Sequence, residues 1–441
     1  MAQILAPSEQ SLPATPESHG HVKPGEIAIG VIIGRTSEFF DFFVYAIASV
    51  VVFPRLVFPF LEPLDGMLWS FALFALAFLA RPVGTALFTA IDRRAGKNAK
   101  LTIALFLLGT STCAIGFLPG YETVGALSIW LLAAARVGQG VALGGTWDGL
   151  ASLLALNAPE DRRGWYAMTP QLGAPLGLIV ASGLFAFFIH YLSQEDFYSW
   201  GWRYPFFVAF AINVVALFAR LRMVVTPDYR RMFDNQDLHP KKVSETLRVE
   251  GGKVAIGALA PLASFALFHM VTVFPLSWVY LYTSASPANF LVIEIIAAVF
   301  GAAAIVASGV IADRVGRRNL LAATAAAIAA FSGFAPQLLD AGPAGEAVYM
   351  IVGFIILGLS FGQSSGAVAS AFSREYRYTG SAITSDFAWL FGAGFAPLAA
   401  LALSSRFGLI AAGAYLLSGA VTTLAALRLN RLWEAHRKDL F

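Results

Sequence analysis

Long apolar stretches separated by short polar ones repeat along almost the whole of this 441-residue chain. Crossing a ~30 Å hydrocarbon core takes about 20 apolar residues of helix. Twelve runs of that order occur, at 27–52, 66–91, 101–119, 126–154, 166–190, 202–224, 253–282, 289–311, 318–338, 346–372, 381–404 and 408–427. A backbone in lipid must satisfy its own N–H and C=O groups, so such runs are read as helices. The pattern predicts an all-α, polytopic membrane protein. The longest interior polar stretch, 225–252, is rich in charge and broken by Pro, Asp and Asn. It divides the chain into a polar N-terminal tail (1–26), a bundle of six helices (27–224), a cytoplasmic linker (225–252), a second bundle of six (253–427) and a C-terminal tail (428–441).

Charge follows the same pattern. Asp, Glu, Lys and Arg make up 13% of the chain, against about 25% in a soluble domain. Twenty-four of the thirty Lys and Arg fall in the two tails and the even-numbered loops. Basic loops stay on the cytoplasmic side, which predicts that both termini face the cytoplasm. The tail has no basic segment leading into a short apolar one, so the first run reads as an uncleaved anchor and not a signal peptide. The net charge of +3 is accounted for by this topology, and no nucleic-acid partner is expected. The single cysteine, Cys113, has no partner for an internal disulfide.

Against this background the first run is anomalous, because "GRTSEFFDFFVY" places Arg35, Glu38 and Asp41 in its middle. A charge at mid-bilayer costs about 3 kcal/mol on insertion scales. Glu38 and Asp41, three residues apart, share a helical face that Tyr45 continues. Counting 1.5 Å per residue puts Glu38 and Arg136 of the fourth run each roughly 15 Å from a surface. Arg136 is therefore expected to pair with Glu38 or Asp41. Carboxylates in such a cavity can take a proton on one side and lose it on the other, whereas a guanidinium stays charged. Glu38 and Asp41 are the expected proton carriers, with Arg136 as their coupling partner and, together with Arg35, an anion anchor. A purely structural ion network is the alternative. His269 lies at mid-depth, and Glu294 and Asp386 lie nearer a surface.

The two halves look duplicated. "IDRRAGKN" after run 2 returns as "ADRVGRRN" after run 8, and Gly138-Gln139 is answered by Gly362-Gln363. Repeated bundles of this kind rock about a site at their interface. The Asp-Arg-x-Gly loops and Arg136-Val-Gly-Gln139-Gly140 resemble the major facilitator superfamily. "EFFDFF", "RPVG" (81–84), "WGWRYPF" (200–206) and "RYTG" (377–380) resemble the metabolite:proton symporter family within it. This resemblance implies a bacterial inner-membrane carrier, functional as a monomer, that symports a proton with a small mono- or dicarboxylate by alternating access. Proline or betaine uptake is the alternative, as is a sensor that keeps the fold without transport. It also implies gating by Asp92 and Arg93 against run 11 and by Asp313, Arg314 and Arg317 against run 5. Departures occur at Phe88, where Gly is usual, and at Thr146 and Asp148. Asp148 is then a candidate inner-gate acid.

The remaining candidates for the substrate wall are Tyr45, Gln139, Trp147, Gln171, Trp278 and Trp389, with His269; Thr379 is expected to cap run 11. No His-Glu-x-x-His, nucleophile elbow or phosphate loop occurs. An enzyme is not expected, nor any cofactor or metal. The expected partners are a small solute, protons and the bilayer.

Overall fold

The computed structural model describes residues 24–146, 149–224, 227–235, 238–364 and 371–438. Among them there is no strand, and ten helical stretches are long and apolar enough to cross a membrane. One of these, Pro63–Gly116, has 54 residues; at 1.5 Å per residue it would run about 80 Å, far beyond a bilayer. It turns back at Gly96, whose φ of 83° only glycine adopts cheaply, and so supplies spans 2 and 3. Span 1, Pro24–Val51, carries three charges in its middle and escapes a count based on apolar composition. Two spans in the folded stretch, nine single ones and span 1 make twelve, arranged as two six-helix bundles.

The other spans are Leu127–Gly145, resumed at Leu150–Leu156 (span 4); Arg163–Met168 to Gly173–Tyr191 (5); Tyr204–Val224 (6); Leu262–Thr272 with Phe274–Tyr282 (7); Pro287–Val315 (8); Arg317–Phe334 (9); Gly342–Phe361 (10); Arg377–Ala388 to Ala396–Phe407 (11); and Ile410–Lys438 (12). The duplicated loops fold alike. Gly316, between spans 8 and 9, has φ 87°, matching Gly96.

Glycines set how closely the spans approach. A Cβ on Gly140 would run into the backbone of Ala77, and one on Gly144 into the backbone of Arg81 and Thr85. Spans 2 and 4 are thus in backbone contact, which fixes where Arg81 and Thr85 stand. Span 11 is interrupted by one π-helical stretch, Trp389–Gly394, a local widening that re-aims side chains.

The interior between the bundles is aromatic. Phe42 and Phe43 of span 1 stack on His269 and Phe268 of span 7 at 5.2 and 5.8 Å, and Phe78 stacks on Trp389 at 6.2 Å. At the end bearing the interbundle linker, Phe233 and Leu238 pack with Ile27, Val31, Leu153 and Tyr378. Thr379 lies inside the span 11 helix and is not its cap. Its hydroxyl accepts from the Lys241 amide at 2.9 Å, tying the linker to span 11. At the far end, the Tyr198 and Tyr280 hydroxyls meet at 3.4 Å.

Candidate functional site

A cavity lies between the bundles, from the aromatic layer toward the linker end. Its two walls differ. The first bundle contributes Arg35, Glu38, Arg81 and Arg220, while the second contributes hydroxyls and rings, among them Ser381, Thr384, Ser385, Phe265 and Trp389. Three guanidiniums thus face one carboxylate.

Glu38 is held between two of them. Arg35 Nη1 donates to its Oε2 at 2.6 Å and Arg220 Nη2 to its Oε1 at 2.7 Å. Arg220 reaches span 1 because residue 34 is glycine, for a Cβ there would stand 2.5 Å from the Arg220 guanidinium. The third guanidinium crosses between bundles. Arg81 Nε lies 2.8 Å from Asp386 Oδ1, and the Thr85 hydroxyl donates to Asp386 Oδ2. Burying ions is tolerable only when they are paired in this way.

Asp41 meets different company. It accepts from the Thr112 hydroxyl, from Asn213 Nδ2 at 3.2 Å and from Gln139 Nε2 at 3.5 Å. These donors are all neutral, and Asn213 is in turn bonded by Ser37. Glu38 and Asp41, one helical turn apart, are therefore separate sites, one ionic and open to the cavity, the other a closed hydrogen-bond network.

Arg136 does not make the expected pair with either carboxylate. Its Nε and Nη2 both donate to the Phe74 carbonyl at 3.1 Å, Nη1 donates to Gln139 Oε1 at 3.1 Å, and its plane covers the Tyr45 ring at 4.0 Å. The ring face and carbonyl take up the charge. Arg136 connects to Asp41 only through Gln139, which also donates to Thr112 at 2.8 Å.

Other candidates scatter. Gln171 and Trp389 line the cavity, and Gln171 reaches Ser364 across the bundles at 3.3 Å. Tyr45 is buried beneath Arg136. His269, fully buried, sits in the aromatic layer against Phe42 and Phe74. Trp278 faces the far end, donating to Asp340 at 2.7 Å and packing on Tyr282, because the indole N–H finds its acceptor there. Trp147 and Asp148 lie outside the described residues. Of the gating set, Asp92 accepts from Tyr378 of span 11 at 3.1 Å, and Asp313 accepts from the Gly164 and Trp165 amides of span 5 at 2.6 and 3.2 Å. Arg317 donates to the Gln363 carbonyl at 2.6 Å, and Arg93 and Arg314 are exposed. Glu294, which reads from sequence as near-surface, is buried and accepts from Ser182 of span 5 at 3.0 Å.

The family model of the Major Facilitator Superfamily matches residues 37–397. The chain belongs to the major facilitator superfamily. Among superfamily members it is 36% identical over 414 residues to the inner membrane metabolite transport protein YhjE of Escherichia coli K12, covering 92% of this chain and 93% of that one. It is 30% identical over 390 residues to the shikimate transporter of the same organism, covering 86% and 88%. A crystal structure of a D-xylose-proton symporter superposes with a TM-score of 0.69 at 20% identity, covering 91% of this chain and 96% of that one. That likeness is one of fold. The chain is a membrane transport protein, not an enzyme.

Sequence reasoning passed over Arg81, Arg220, Asp386, Thr112 and Asn213 as site residues. One signal was available for two of them. Arg81 and Asp386 are opposite charges inside apolar spans, and each needs a partner.

Proposed function

We propose that this transporter carries a small organic anion bearing a carboxylate together with a proton, working as a monomer in a bacterial inner membrane with its linker end and both termini in the cytoplasm. The observation that carries this reading is the cavity wall, where Arg35, Arg81 and Arg220 stand against the single carboxylate of Glu38. With Asp386 counted behind Arg81, one positive charge is left over, and a carboxylate solute balances it.

Proton coupling follows from the same arrangement. Glu38 occupies the acceptor position between Arg35 and Arg220 that a substrate carboxylate would fill. When Glu38 takes a proton, the two guanidiniums lose their shared anion and the cavity gains affinity for an external one. By linkage, substrate binding then favours protonation of Glu38 to the same degree. Asp41, reached from Arg136 through Gln139, is the second proton acceptor in this scheme, shielded from the solute. The gradient of protons supplies the driving force without a cofactor. The match to a shikimate transporter supports the carboxylate class, since shikimate is itself a carboxylate.

The test is uptake into proteoliposomes. Shikimate, lactate and succinate are offered with the pH gradient imposed in each direction, and glycine betaine serves as the zwitterionic competitor. The expected result is accumulation of at least one carboxylate, faster with acid outside. Uptake of betaine with all carboxylates ignored would contradict the reading.

A further inference from the structure

Arg81 is unlike the other cavity cations. Arg35 and Arg220 both hold Glu38 within their own bundle, whereas Arg81 holds a carboxylate of the opposite bundle. Asp386 is well supported, with Thr85 on its second oxygen and a side chain only 2% exposed. Arg81 is less so. Its Nε meets Asp386 as an ion pair without hydrogen-bond geometry, and its terminal nitrogens make no ion pair or hydrogen bond among the described residues. A guanidinium carries five N–H donors, and the terminal nitrogens form the fork that grips a carboxylate with two bonds. That fork is unfilled, on a residue that lines the main cavity and also the smaller pocket bounded by Phe42, Phe78 and Trp389.

The geometry points to Arg81 as a third guanidinium for the substrate carboxylate, on the same cavity wall as the Arg35 and Arg220 position, with Asp386 as a competing anion held across the bundle interface. A solute carboxylate taken up by the Arg81 fork shares the guanidinium with Asp386 and weakens its hold. Occupancy of the cavity is thereby converted into loosening between spans 2 and 11. The backbone contact of span 4 at Gly144 fixes the Arg81 main chain, so its side chain responds and not the helix. This inference rests on the carboxylate reading above, and to Arg35 and Arg220 it adds a third binding residue and the seam that answers.

If Arg81 and Asp386 were only a lock between bundles, removing either charge would shift binding in the same direction. If Asp386 competes with substrate, the two changes have opposite signs. Shikimate binding to the purified full-length protein is measured by calorimetry. Asp386→Asn is expected to lower Kd severalfold, because Arg81 is released. Arg81→Gln is expected to raise it about tenfold or more, the usual effect of losing a charge-assisted bond. Arg81→Lys, which keeps the charge without the fork, should fall between wild type and Arg81→Gln. Thr85→Val removes a hydroxyl that Asp386 accepts from but leaves both charges, and should move Kd less than Asp386→Asn does. Melting temperature and monodispersity identify variants that fail to fold, and the Arg81→Lys and Thr85→Val pair then carries the comparison. Shifts of the same sign for Arg81→Gln and Asp386→Asn, or a Thr85→Val shift as large as that of Asp386→Asn, overturn the inference and leave the carboxylate reading standing. A wild-type protein that binds shikimate, lactate and succinate not at all overturns both.

Discussion

Two seams join the bundles, and they are built differently. Between spans 2–3 and span 11 the links are long side chains, namely Arg81 to Asp386, Tyr378 to Asp92 and Lys100 to the Tyr378 hydroxyl at 2.7 Å, with Lys100 also 3.6 Å from Asp92 within its own bundle. Between spans 5 and 8 the links involve backbone. Asp313 takes two amides of span 5, Gln363 at the end of span 10 adds a bond to the Gly164 carbonyl at 3.0 Å, and a Cβ on Gly164 would stand 2.7 Å from both the Ala312 Cβ and the Gly309 carbonyl. The duplicated loops account for part of the contrast. Four residues before Asp313 stands Gly309, which lets span 5 come within reach of the carboxylate. Four residues before Asp92 stands Phe88, packed on Gly145 of span 4, and there a tyrosine bridges the distance. A backbone seam tolerates little change in spacing. A seam of side-chain charges responds to the charge of whatever enters the cavity beside it.

Breaking the backbone seam should have the largest effect. Gly164→Val overpacks the span 5 and span 8 contact, and overpacking costs about 1–3 kcal/mol; thermal unfolding in detergent should shift down and uptake should be lost. The paired loop variants sharpen the contrast. Asp313→Asn weakens two charge-assisted bonds to amides, each worth about 1.5–3 kcal/mol. It should slow uptake about tenfold, whereas Asp92→Asn, which leaves Lys100 bonded to Tyr378, should slow it only a few-fold. Equal losses in the two would remove the distinction. Tyr378→Phe deletes the hydroxyl that both Asp92 and Lys100 use; it should lower stability by about 1.5–3 kcal/mol and slow uptake at least as much as Asp92→Asn. Ser182→Ala, removing the hydroxyl on Glu294, should have the smallest effect on uptake, less than about twofold for one neutral donor.

Much of this was legible in the chain because lipid imposes a length and a composition on each span. Twelve runs and the duplication follow from the pattern, and Asp92 and Asp313 facing spans 11 and 5 follow from the family resemblance. Span 1 announced its charges for the same reason, since nothing apolar explains them. The partners were not legible. Arg220 reads as cytoplasmic, lying two residues from Arg222 near the end of a run, yet Gly34 lets its side chain fold back onto Glu38. Arg136 has the right depth for Glu38 or Asp41, but periodicity gives a face and not an acceptor, and the Phe74 carbonyl and Tyr45 ring took its charge. Trp278 reads from sequence as a residue of the cavity wall, yet its indole N–H finds its acceptor in Asp340 at the far end, which depends on how span 9 terminates.

The account turns on Glu38 being proton acceptor and substrate surrogate at once. Its most direct measurement is proton exchange on binding, in which saturating shikimate is added to the purified protein in weakly buffered solution at pH 7 and the change in free proton is recorded. Proton uptake with anion binding in the wild type, absent in Glu38→Gln although that variant still binds shikimate, is the expected result. Binding without proton uptake in the wild type, or uptake of the same size in Glu38→Gln, would contradict it.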